Sequence, residues 1–252
     1  MASHRPVIVR FFDIRKPASE MTITHRSRMF SAPFWKSVVD YFSRRRSARR
    51  TAVTDRDGLE NFIRTRASHV AQTALYGYLR TRAGTRFPEL FSNDQFLKSI
   101  NIAKWHVWLA CVSDLSVYAG GLVRRATHAP APAVGRLIQG VVEEVLRATG
   151  VPPDAGSEFG EHADRVRARL ALCEWSTMSN EEAPFSESPA ALVHWAPIAD
   201  DLKDLDEEIV RNSVRFRWHE VRRELRSCLD AAAVLASSDE APAVRDALEK
   251  RE

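Results

Sequence analysis

Apolar positions crowd one long stretch of the chain, Lys104 to Arg125, and between Lys104 and Arg124 only His106 and Asp114 carry or readily take a charge. A helix that is apolar on nearly every face is either the centre of a globular bundle or a membrane span. The run is close to the ~20 residues that cross a ~30 Å hydrocarbon core, and basic residues flank it. Asp114 near its middle and the Gly120-Gly121 pair weigh against lipid, where an ionisable side chain is expensive. In a bundle Asp114 can accept a hydrogen bond from a neighbouring helix, or from Tyr118 one turn on. The entrance also reads as a water-soluble helix start, with Ser92 and Gln95 at capping-box spacing and Asp94 in the first turn. The stretch is read as a buried central helix over 94–123 that closes at or just after the glycine pair. A membrane span over 105–123 is the alternative.

Amphipathic segments surround it. Leu59, Phe62, Ile63, Ala67, Val70, Ala71, Ala74, Leu75, Tyr78 and Leu79 recur at i, i+3, i+4, i+7 and predict a helix from Asp55 to Ala83-Gly84. After a stiff Ala129-Pro-Ala-Pro-Ala connector, Leu137 to Leu146 predict another, closed by Thr149-Gly150. Val166, Leu170 and Cys173 face inward from a helix over Glu158–Trp175, with Ser157 as its N-cap. Asn180 to Ser188 reads as loop, and Ser188-Pro189 opens a short helix through Trp195. Pro197 then restarts the chain into a long helix reaching Leu229 or beyond. The early turns of that helix are acidic and its later turns basic, which suits the macrodipole, and Glu207 and Arg211 form an i, i+4 pair. These segments predict an all-α fold, an irregular bundle of five or six helices over residues 51–236, with a polar tail over 237–252.

The first fifty residues differ in kind. Pro6–Ile14 and Met21–Thr24 are short strand candidates that could make a hairpin, marginal by itself in water. Pro33 opens an amphipathic helix over 33–50: Phe34, Trp35, Val38, Val39 and Phe42 share one face, and an arginine cluster follows. Residues 1–50 hold 12 Lys and Arg against 3 acids, a net +9, which leaves −5 on the rest of a chain whose total is +4. A basic arm on a mildly acidic body meets anionic lipid, nucleic acid or an acidic protein surface.

Composition narrows the classes. At 44% apolar residues there is material for a core. Cys111, Cys173 and Cys228 are odd in number and far apart, without C-x-x-C, which argues for a reducing compartment and against a disulfide scaffold or zinc knuckle. No continuous apolar run marks a secretory leader within residues 1–20, so a cytoplasmic location is expected.

No motif names a reaction. Gly156-Ser-Glu-Phe-Gly160 has the wrong spacing for a nucleophile elbow, and no Gly-rich phosphate loop occurs. Di-iron bundles need Glu-x-x-His, and none of the histidines has a carboxylate three residues before it. Glu158 and His162 could share a metal, and Asp200, Asp204 and Glu208 share a helical face, but a solvated acidic first turn explains the latter better. No cofactor and no metal are expected. A pocket near His69, His106, Asp114 and Tyr118 is the place where a helical enzyme or small-ligand binder would act. His106 and Asp114 lie ~12 Å apart along the axis, so each needs a partner from another helix, such as His69 or Gln72. A polar contact that fixes helix register is the plainer reading. Arg64, Arg66, Arg80 and Arg82 could hold an anion, or form a basic edge that pairs with acids of the long C-terminal helix.

The leading expectation is a non-enzymatic adaptor, peripheral on the inner face of a membrane. Phe34, Trp35 and Phe42 would insert, Arg44, Arg45, Arg46, Arg49 and Arg50 would meet lipid phosphates or a membrane-bound protein complex, and the body would bind a protein partner. The alternatives are the pocket just named and a non-specific nucleic-acid binder acting through the arginines.

Overall fold

In the computed structural model, which describes residues 52–178 and 182–237, the first helix starts where the pattern places it. The Asp55 carboxylate accepts the Gly58 amide at 2.7 Å and caps α1, Arg56–Ala83. Gly84 ends α1 at φ +54°, a conformation that needs no Cβ. The connector to the central helix is not plain loop: a 3-10 turn, Gly84–Arg86, leads into α2, Phe87–Leu90. The predicted hairpin, the helix over 33–50 and the tail beyond 237 lie outside the described residues.

The central helix α3 spans Asp94–Thr127. Its cap is Asn93, whose side chain accepts the Phe96 amide at 2.9 Å, not Ser92, so the Ser92–Gln95 capping box does not form. By length and composition α3 could cross a membrane, yet its most apolar window is buried throughout inside the body. It is the core of the bundle. The helix also runs through Gly120-Gly121 to Thr127 rather than ending there. Gly120 makes room there rather than a stop: the Trp175 ring occupies the slot that its missing side chain leaves open.

Around α3 stand α4 (Ala131–Thr149), α5 (Phe159–Ala171), α6 (Glu187–Trp195) and α7 (Asp200–Cys228). Pro132 starts α4 instead of ending a connector, because a proline in the first turn gives up an amide that has no helical partner there. The helix predicted over Glu158–Trp175 stops at Ala171, and Ser157 does not cap it: Glu158 is the cap residue and makes no side-chain cap bond. The described residues thus form seven helices in an all-α bundle, one more than expected, the addition being α2.

The two ends of the body are tied together. Val53 N donates to the Cys228 carbonyl at 2.8 Å, and Asp230 N to the Val53 carbonyl at 2.9 Å. The Arg56 amide reaches Ser237 Oγ at 3.0 Å, closing 181 residues of sequence separation.

Candidate functional site

Two buried polar centres lie along α3, and each draws its partners from other helices. The first is Asp114, fully buried. Its Oδ1 accepts Arg169 Nη1 from α5 at 2.7 Å and the Glu187 amide at 3.1 Å. Its Oδ2 accepts the Ser188 amide at 2.8 Å and Ser188 Oγ at 2.6 Å. Ser188 Oγ in turn accepts Trp218 Nε1 of α7 at 2.9 Å. Arg169 completes its own bonding to Ser113 Oγ, the Pro184 carbonyl and Ser186 Oγ.

The physical logic is that of a helix cap supplied from a distance. The first amides of α6 have no partner within their own helix, and the Ser186 side chain at its N-cap does not cap them. Asp114 satisfies two of them from α3, where the positive end of α6 favours an anion. Burial raises the Asp114 carboxyl above its ordinary value, while Arg169 and the Ser188 bonds pull the other way. Four donors converge on two oxygens, a geometry that fits a carboxylate and leaves no acceptor for a carboxyl proton. The neighbouring Cys111 thiol is pushed well up by burial, so it is kept in its neutral form. Tyr118 takes no part: its buried hydroxyl has no hydrogen-bond partner, and its ring packs against Phe185 at 5.2 Å.

The second centre is His106. Its Nδ1 lies 2.8 Å from Nδ1 of His162 on α5. The ring centroids are 5.1 Å apart and the planes differ by 20°, so both nitrogens lie between the centroids on nearly one line. That is the geometry of an N–H···N hydrogen bond along both lone-pair axes; two ligands of one metal would instead converge at an angle. Trp195, the last residue of α6, lies face to face on His106 at 3.7 Å and 9°. His106 Nε2 is buried with no hydrogen-bond partner. With its proton on Nε2, His106 Nδ1 accepts and His162 donates; the other tautomer reverses the roles.

Burial holds both imidazoles in the neutral form, His106 down to about 3 and His162 to about 4, with Arg165 and His194 adding repulsion. In the unfolded chain each takes a proton near pH 6.5. Between pH 6.5 and about 4 the unfolded state therefore binds more protons, so stability is full above pH 6.5 and falls on acidification. The slope approaches about 1.4 kcal/mol per pH unit for each histidine. Urea midpoints measured from pH 7.5 to 4.5 should drop for the native chain and drop less for His162→Gln. Parallel curves for the two proteins would contradict this account, and their difference isolates the pair from the carboxylates.

Two of the four arginines read as a basic edge are engaged with α7. Arg66 forms a two-pronged pair with Glu224 (2.8 and 2.5 Å), and Arg82 pairs with Asp206 and reaches the Leu202 carbonyl at 3.1 Å. Arg64 contacts Asn61 and Glu60 on its own helix, and Arg80 is exposed. Arg66 and Arg82 thus meet carboxylates of α7. Phe34, Trp35, Phe42, Arg44, Arg45, Arg46, Arg49 and Arg50 lie outside the described residues.

The four side chains expected to share a pocket do not converge on one. His106 turns to His162 and Trp195, Asp114 to Arg169 and Ser188, and Tyr118 to Phe185, while His69 is half-buried on α1. Two clefts, of about 130 Å³ and about 230 Å³, are lined by other residues, the first including Gln72, Lys104 and Trp105. Both are below the ~300–1,000 Å³ of usual small-molecule sites. Among the described residues no group of three His, Cys, Asp or Glu side chains could hold a metal. Sequence reasoning missed His162, Arg169, Ser188 and Trp195 as partners. Arg169 was the most findable, since it falls between Val166 and Leu170 on the inward face of α5. No protein-family model, curated protein or solved structure matches the chain.

Proposed function

We propose that the protein is a non-enzymatic helical adaptor that attaches, on the cytoplasmic side, to an anionic membrane surface or a membrane-bound complex. The observation that carries this reading is the +9/−5 division of charge at residue 50, joined to an aromatic stripe directly before the arginines. Phe34, Trp35 and Phe42 enter the interface while Arg44, Arg45, Arg46, Arg49 and Arg50 meet phosphates. The body adds support from another direction. Asp114, Arg169, His106 and His162 are engaged in joining helices, so the ionisable groups of the core have structural work. What the body offers outward is the surface of α7, which carries large apolar side chains.

Each arginine near anionic lipid contributes about 1 kcal/mol, so changing all five to alanine in the full chain should weaken vesicle binding by more than about a hundredfold. Co-sedimentation with phosphatidylserine-containing vesicles at low salt measures it, and added salt should release the native protein. A full-length protein that stays in the supernatant at low salt overturns the proposal.

A further inference from the structure

Helices on the outside of a globular body ordinarily turn a polar face to water. On α7 that face carries Leu205, Ile209 and Phe216, which are 76%, 73% and 77% exposed. With Asn212 they fall at steps of four, three and four residues, the alternation of a coiled-coil seam. At 1.5 Å per residue the stripe is about 16 Å long. The exposed charges beside it are ordered: Asp201, Asp204 and Glu208 come before its middle, and Arg215, Arg223 and Arg226 after, with Glu220 interrupting the basic half. A parallel copy of this face would set like charges together. An antiparallel copy sets acids beside bases, Asp204 and Glu220 excepted, and opposes the two helix dipoles.

We infer that α7 pairs antiparallel with α7 of a second copy of this chain, about a two-fold axis near Asn212. Such an interface is isologous, so each contact occurs twice. Leu205 and Ile209 of one copy cover Phe216 of the other, and Glu208 lies beside the partner's Arg215. The two Asn212 side chains meet near the axis, where a polar residue in an apolar seam selects one register. Arg215 already donates to Asn212 Oδ1 at 3.0 Å, which directs its guanidinium toward the middle of the seam. With three large apolar side chains per copy, the dimer is reversible and depends on concentration.

This pairing names a partner for the outward surface of the adaptor and does not depend on the lipid-binding arm. Sedimentation of the full chain in lipid-free buffer over roughly 1–100 µM tests it. The mass should rise from 28.5 kDa toward twice that value. Ile209→Asp and Phe216→Asp should each raise the dimer dissociation constant about tenfold or more, with the circular dichroism unchanged because both side chains are exposed. Glu208→Arg and Arg215→Glu should each weaken the dimer, and the double charge swap should restore it. A chain that stays monomeric overturns the inference, which is also the result if the stripe meets lipid or another segment of its own chain. So does a dimer indifferent to the two aspartates, or a double swap no better than its singles. The five-arginine variant separates the two proposals, since it should lose vesicles and keep the dimer.

Discussion

Gly120→Ala is expected to destabilise the protein by about 3–5 kcal/mol, although it adds a single methyl to a helix and alanine is the better helix former. A Cβ at position 120 would lie 2.8 Å from Cε3 and 2.9 Å from Cη2 of Trp175, and closer still to Cζ3. Real Cβ atoms do not approach ring atoms that closely, so either the indole leaves its slot or α3 moves. The indole is 6% exposed and seated between α3 and α4, and expelling it costs what removing a buried tryptophan costs. Gly135 on α4 faces the same ring less tightly, its Cβ 3.2 Å from Nε1, so Gly135→Ala should cost under about 1.5 kcal/mol. Once Trp175→Ala has emptied the slot, Gly120→Ala should add little, and the double mutant should fall well short of the sum. Urea midpoints of the four variants measure all of this. A native midpoint for Gly120→Ala would mean that Trp175 packs elsewhere.

That pair also marks where the sequence can be read and where it cannot. α1 was legible because Asp55, the 3.6-residue apolar period and Gly84 all agree, and such agreement across levels is what defines a segment. The burial of α3 was legible from its all-round apolar character together with one carboxylate that lipid would penalise. Gly120-Gly121 was misread as a stop because a glycine looks the same whether it frees the backbone or makes room for a ring. Only the position of Trp175, more than fifty residues later, distinguishes the two. The Ser92 cap failed for a similar reason: Ser92 and Asn93 are both good cap residues, and one residue of register decides between them. Asp114 announced that it needed donors but not which, since Arg169, Glu187 and Ser188 are brought to it by three-dimensional packing. The same limit applies to His106, whose partner His162 was noticed only as a neighbour of Glu158. The exposed stripe on α7 went unseen because Leu205, Ile209 and Phe216 sit at spacings that equally fit an inward face.

Asp114→Ala should be about as damaging as the glycine substitution, for the opposite reason. It removes the acceptor and leaves Arg169 Nη1 short of a partner and the Glu187 and Ser188 amides without one, in a place where water cannot replace it. Removing one partner of a buried, hydrogen-bonded ion pair costs about 3–5 kcal/mol, a large part of the 5–15 kcal/mol that keeps a domain folded. Asp114→Asn, nearly the same shape, should recover only part of this. Its amide nitrogen must face either the Arg169 guanidinium or the Ser188 amide, donor against donor. Combining Asp114→Ala with Arg169→Met removes the charge from both sides, and the pair should cost less than the sum of the singles by more than 1 kcal/mol. The damage should also be local. Hydrogen exchange at the Glu187 and Ser188 amides should accelerate before that of α1, because α6 loses the cap on which its first turn depends. If Asp114→Ala unfolds within 1 kcal/mol of the native protein, or exchange at those two amides is unchanged, the carboxylate is not what holds α6 against the central helix. The link from α3 through Ser188 to Trp218 would then have to rest on apolar packing alone.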